Sequence, residues 1–395
     1  MPEKITAEFI NSVWDEQSVY LDDLIGSSRT DFNIFIESGN HEQNIRLLIE
    51  HYRPLLKKHE FFFSTSHYDW CFDPRSYRLS AEVVFQFRVL NFLISLFEED
   101  PGLYKSLSDE IIVVREAITG NTTIHPKTTR IKDISFITLP LGWFDHGHYC
   151  CFGFEMSQTN RLNKLQSINL GICAKILAEQ AVEDFLFAHP EHSLDPASIT
   201  LAAMEVAKRL IKNEPVFSSA VAEIGDNDLS DHSQIIAYAC ESFMLAHETA
   251  HIMAGDHNKT SFDVDEINAD RVAFLLLNHS KHDFLVANIS LNVDSLPVFA
   301  AQSFIFMGNA LFQTHVELGT AQKLQWDKFH DRALAIQEVV KTVKLPVEDI
   351  KRLNTLTTQM QIYLKRSKEM FHTIAKEKQQ ILDNAYSHIL DITEF

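Results

Sequence analysis

Cysteine is scarce in this chain and carries no metal-binding or redox spacing. Cys71, Cys150, Cys151, Cys173 and Cys240 form an odd set without a C-x-x-C pair, and the adjacent Cys150 and Cys151 are poor partners for each other. Reduced thiols in a cytoplasmic protein are therefore expected rather than a disulfide framework. Glycine and proline are also few, 12 and 11 in 395 residues, which leaves little for tight turns and suits a mostly helical protein. No apolar run is long enough to span a bilayer. The best one, Leu296 to Phe312, is interrupted by Gln302, Ser303, Gly308 and Asn309 and falls short of the ~20 residues required. The N-terminus, MPEKITAEFINSVWDEQ, lacks the basic-then-apolar order of a signal peptide, so no membrane association is expected.

Positive charge is in deficit too. Against 54 acidic side chains stand 35 Lys and Arg, for a formal charge of -19. Phosphate backbones are bound by clustered positive fields, so this balance counts against a nucleic-acid partner. No repeat, low-complexity tract or Gly/Ser linker divides the chain.

What is present is apolar material for a core: 45% hydrophobic residues, 29 of them Phe. Spacing predicts amphipathic helices at Glu42 to Tyr52, stopped by Pro54, and at Ser80 to Phe97. Between about residues 110 and 156 the pattern changes. Ile111 to Val114, Ile134 to Leu139 and Tyr149 to Phe154 are β-branched or aromatic runs punctuated by Gly120-Asn121 and Leu141-Gly142. They predict a small antiparallel sheet. On that reading His146 and His148 sit in a turn between strands, either incidentally or as a second metal site.

From about Arg161 onward helices are predicted at Leu162 to Phe187, Pro196 to Lys212, Ser233 to Ala254 and Glu266 to Leu277. Further ones follow at Leu296 to Phe312, Trp326 to Val343 and, as one long surface-packed or dimerising helix, Val347 to Tyr386. The fold class is α+β, predominantly α. Three consecutive regions are expected: 1–109, mostly helical; 110–290, with the sheet and the central helices; and 291–395, helical.

Chemistry concentrates in SQIIAYACESFMLAHETAHIMA, residues 233–254. Apolar residues at helical spacing and Gly255 as C′ cap predict a helix. His247 and His251 are then i, i+4 neighbours able to hold one ion, with Glu248 beside the first of them. Neutral imidazoles suit Zn²⁺, and a catalytic zinc takes three protein ligands and leaves a position for water. The metal acidifies that water and an adjacent carboxylate takes its proton, which assigns Glu248 as general base.

Two residues compete for third ligand. The next helix runs Glu266-Ile267-Asn268-Ala269-Asp270 after a short polar turn. Antiparallel packing would face Glu266 to the metal, with Asp270 one turn later orienting a ligand His. Asp263 as N-cap would make Glu266 part of a capping box instead. The rival is His257, at metzincin spacing from His251, although Gly255 stands one position late for that pattern and Met307 lies in a helical run rather than a Met-turn. Asp226, Asp228, Asp231 and His232 precede the His helix and suit dipole complementation; His279 suits the end of the next helix.

HETAHIMAGDH (247–257) with EINADRVAF (266–274) resembles the gluzincin metallopeptidases, in which HExxH is followed by a Glu-x-x-Ala-Asp helix. The short gap looks like the soluble ImmA/IrrE-type and Lit-type peptidases rather than the membrane-bound HtpX and CAAX-protease relatives. The resemblance spans residues 233 to 278. It implies a zincin-like core within 110–290, one catalytic Zn²⁺ on His247, His251 and Glu266, Glu248 as base, Asp270 behind a ligand, and a protein or peptide substrate. HtpX-like enzymes also carry a later His-Pro...Arg segment that binds the transition state. Here only Phe329-His330-Asp331-Arg332 corresponds, without the Pro, which makes His330 or Arg332 candidates for that role. Val216 to Ile224 is the candidate edge strand for a substrate. Two other readings share these residues: a non-catalytic zinc-stabilised sensor or interaction protein, and a toxin or abortive-infection protease with one host target.

Overall fold

The structure is a computed structural model that describes residues 5–15, 41–57, 69–78, 80–99, 110–117, 126–158, 162–189, 196–218, 231–255, 262–279, 291, 293–319 and 323–393. It is predominantly helical with one three-stranded sheet, the expected α+β class. Two compact units form, neither continuous in sequence: Met1–Ala117 with Pro126–Leu139 and Met244–Asp283, and the remainder of the chain. The helix Asp231–Ala254 gives its residues through Phe243 to the second unit and those from Met244 to the first.

In the first unit the sheet consists of β1 (Ile111–Ala117), β2 (Lys127–Ile131) and β3 (Ile134–Pro140) in the order β1-β3-β2. β3 pairs antiparallel with β2, from Lys127 opposite Thr138 to Ile131 opposite Ile134. The sheet is mixed, not antiparallel throughout as expected, because β3 inserts between β1 and β2 and runs along β1. The two-residue link Lys132-Asp133 has positive φ at both positions, 47° and 65°. That is the geometry whose twist matches a hairpin, here made without the usual Asn-Gly.

Ile134, Phe136, Ile137 and Leu139 are all buried, so the central strand reads as a continuous apolar run rather than an alternation. The outer edge of β1 is occupied by Gln86 from the helix Ser80–Glu99. Its amide donates to Ile112 O and accepts from Val114 N, both at 2.9 Å. That pairing covers a strand edge that would otherwise be open. The same helix packs against His41–Lys57 and Phe262–His279. His41–Lys57 continues through Pro54, which was expected to stop it; the proline removes one i→i−4 donor from the helix without ending it.

Among the described residues the second unit is helical, apart from Pro140 at the end of β3. Leu162–Ala188 packs against Pro196–Asn213, Leu141–Gln158 and Lys378–Thr393, while Leu296–Leu318 packs against Lys323–Lys341 and Val347–Ala375. Leu141–Gln158 is one helix, so the run Tyr149 to Phe154 is not a strand and His146 and His148 are not in a turn. A short apolar run buried on every side has no period to distinguish helix from strand. The long C-terminal helix is two, broken at Lys376-Glu377. Among the described residues no helix is long and apolar enough to cross a membrane.

Candidate metal centre

The helix Asp231–Ala254 is apolar almost all round, which buries it from Ile235 to Ile252 with few interruptions. It ends at Gly255, whose φ of 66° allows its N–H to turn back to Ile252 O at 3.0 Å. Burial of this helix carries His247 and His251 into the protein side by side. Their Nε2 atoms stand 3.1 Å apart, with the rings nearly perpendicular at 87°.

The helix Phe262–His279 begins one residue before Asp263, so that residue lies inside the first turn rather than at an N-cap. Glu266 and Asp270 are i, i+4 on this helix and both reach the imidazoles. Glu266 Oε2 lies 3.2 Å from His247 Nε2, and Glu266 Oε1 lies 3.3 Å from His251 Nε2. Asp270 is 1% exposed and its Oδ1 stands 2.8 Å from His247 Nδ1. His247, His251 and Glu266 thus form a group of three that can hold a metal ion.

The donor chemistry fits zinc. A buried carboxylate against Nδ1 keeps the proton of a neutral His247 on that nitrogen, which leaves the Nε2 lone pair for the cluster. Nε2 of His251 and a carboxylate oxygen converge on the same point, so electron pairs face electron pairs unless a cation stands between them. Tetrahedral ligands at zinc distances stand roughly 3.3 Å from one another, and the 3.1 to 3.3 Å separations here match that spacing.

Glu248 follows His247 on the helix and is only 4% exposed. Its Oε2 accepts a hydrogen bond from the Thr128 hydroxyl of β2 at 2.8 Å, and the same hydroxyl lies 3.2 Å from the Glu248 backbone oxygen. Thr128 escaped the sequence reading. It is 120 residues away, and Lys127-Thr128-Thr129-Arg130 carries no apolar alternation to mark a strand.

The other candidates fall elsewhere. His257, Asp226 and Asp228 lie outside the described residues. Asp231 and His232 are the first residues of the His helix, and His279 is the last of the next one. Val216 belongs to the short helix Pro215–Ser218 instead of a strand, and residues 219–224 lie outside the description. In the second unit His330 is exposed, and Arg332 lays its guanidinium 5.5 Å from the Phe304 ring centroid. Met307 is fully buried within the helix Leu296–Leu318, against Gly147. His148 pairs with Glu241 at 2.7 Å. The five cysteines form no disulfide and are buried, and burial pushes the Cys150 thiol up to about 12. No family model, no curated protein and no solved structure matches this chain.

Proposed function

We propose that this protein is a zinc-dependent metallopeptidase of the gluzincin type, acting in the cytoplasm on a protein or peptide substrate. The observation that carries the reading is the convergence of His247, His251 and Glu266 on one point, with the buried carboxylate of Glu248 adjacent in sequence. On this reading the three would hold the ion, and the helices bearing them with the sheet would form a zincin-like core. When bound, the ion supplies Lewis acidity, which makes water a better acid and a carbonyl a better electrophile.

The protein's own groups do the rest. Glu248 takes one proton from the attacking water as the new C–O bond forms at the scissile carbonyl. It passes that proton to the departing nitrogen as the C–N bond breaks, leaving a carboxylic acid and an amine. Asp270 holds His247 in the tautomer that turns Nε2 toward the cluster.

A non-catalytic zinc-stabilised protein is the second reading. It is favoured by the near-complete burial of Glu248, because a general base needs access for water and substrate. One experiment separates the two without knowledge of the substrate. Cells expressing wild type or Glu248→Gln at matched levels are surveyed by mass spectrometry for new protein N-termini, and zinc is measured in both purified proteins. Wild-type-specific termini with equal zinc support the peptidase; a single cleaved protein would identify a dedicated effector. Equal zinc with no difference in termini would refute it in favour of the second reading. Metal content of Glu266→Ala and His257→Ala variants assigns the third ligand.

A further inference from the structure

We infer that Thr128 is a positioning residue for the general base: its hydroxyl holds one oxygen of the Glu248 carboxylate and so aims the other at the reacting water. The inference rests on the peptidase reading. A threonine hydroxyl has one proton to donate, and two acceptors of the same residue lie within reach. The carboxylate oxygen at 2.8 Å is the nearer and carries the charge, so it takes the bond in preference to the backbone oxygen at 3.2 Å.

Thr128 is well suited to hold a position. It lies in β2 opposite Ile137 of β3, so the strand ladder fixes its backbone. Its β-branched side chain is stiff at χ1, and the residue is buried. Glu248, by contrast, has three side-chain torsions to restrain. Its backbone is fixed by the helix Asp231–Ala254, which leaves the carboxylate as the part still to be oriented. Anchoring Oε2 removes that freedom before substrate arrives, the usual requirement of a base that must sit within hydrogen-bonding reach of its proton. The carboxylate is then shared between a fixed partner on one oxygen and the reaction on the other. Neither the helix nor the strand supplies this alone.

The test uses zinc-loaded full-length protein and a synthetic peptide spanning a cleavage site found in the survey of termini. Thr128→Val keeps the shape and loses the hydroxyl, whereas Thr128→Ser keeps the hydroxyl. Thr128→Val is expected to lower kcat by 10- to 100-fold, with KM and zinc content within twofold of wild type. Thr128→Ser is expected to stay within about threefold of wild type. Combined with Glu248→Gln, Thr128→Val should add no further loss. A kcat for Thr128→Val equal to wild type, or a loss in Thr128→Ser as deep as in Thr128→Val, overturns the positioning role and leaves the peptidase reading standing. A survey without wild-type-specific termini overturns both, and Glu248→Gln at full activity removes the base that Thr128 would position.

Discussion

At the scale of single residues the centre is built from short-range pairs whose geometry follows helical spacing. His247 with His251 and Glu266 with Asp270 are both i, i+4, so each helix delivers two side chains to one face. Asp270 is the member whose role is most easily isolated, because it touches His247 at Nδ1, the nitrogen turned away from the cluster. Replacing it with Ala is expected to weaken zinc binding 10- to 100-fold, read by competition with a chelator of known affinity. Unchanged affinity would mean that the His247 tautomer needs no help. The paired imidazoles and the Glu-x-x-Ala-Asp segment were legible in the sequence because local periodicity alone brings them together. Thr128 was not, because only the pairing of β2 with β3 and the burial of the His helix bring a hydroxyl to Glu248.

At the scale of elements, helix packing sets two further expectations. Gly308 lies where the helix Leu296–Leu318 meets Phe329 of Lys323–Lys341. A methyl group there would overlap the ring, standing 2.6 Å from its Cε2. Gly308→Ala should destabilise the protein by about 1–3 kcal/mol, and Phe329→Leu in the same chain should recover part of that loss, both read from denaturant unfolding. The second concerns Glu183 on Leu162–Ala188. Burial, reinforced by the charges of Glu179 and Asp184, raises its carboxyl from 4.5 to about 7. The folded protein therefore keeps this proton up to about pH 7, while the unfolded chain releases it near 4.5. The associated stability is complete below the lower value and is lost as pH rises through the upper one. Glu183→Gln is expected to flatten that part of the Tm profile and to melt a few degrees above wild type at pH 8. The same elements show where periodicity misled. Tyr149 to Phe154 has strand composition but lies in a helix, since its Cys and Phe side chains are enclosed on all sides. The break at Lys376-Glu377 has neither glycine nor proline to announce it.

At the scale of the whole molecule, a bound ion is part of the folding free energy. Zinc at 1,000 times its dissociation constant adds about 4 kcal/mol to the state that binds it. Chelation is accordingly expected to lower Tm, and restored zinc to return it, with no such response in His247→Ala. A Tm indifferent to chelator would place no ion in the centre. Composition and charge set the class of the molecule in advance: few glycines and prolines, abundant Phe, and helical spacing over most of the chain lead to the predominantly helical α+β fold. Helical spacing likewise brought the candidate metal ligands together, because a helix is a local object whose faces can be counted along the chain. Tertiary structure alone decided the rest. The insertion of β3 between its neighbours and the hydroxyl set against Glu248 both depend on contacts between distant segments. Such contacts are settled by what the assembled core can enclose, and no spacing within one segment encodes them.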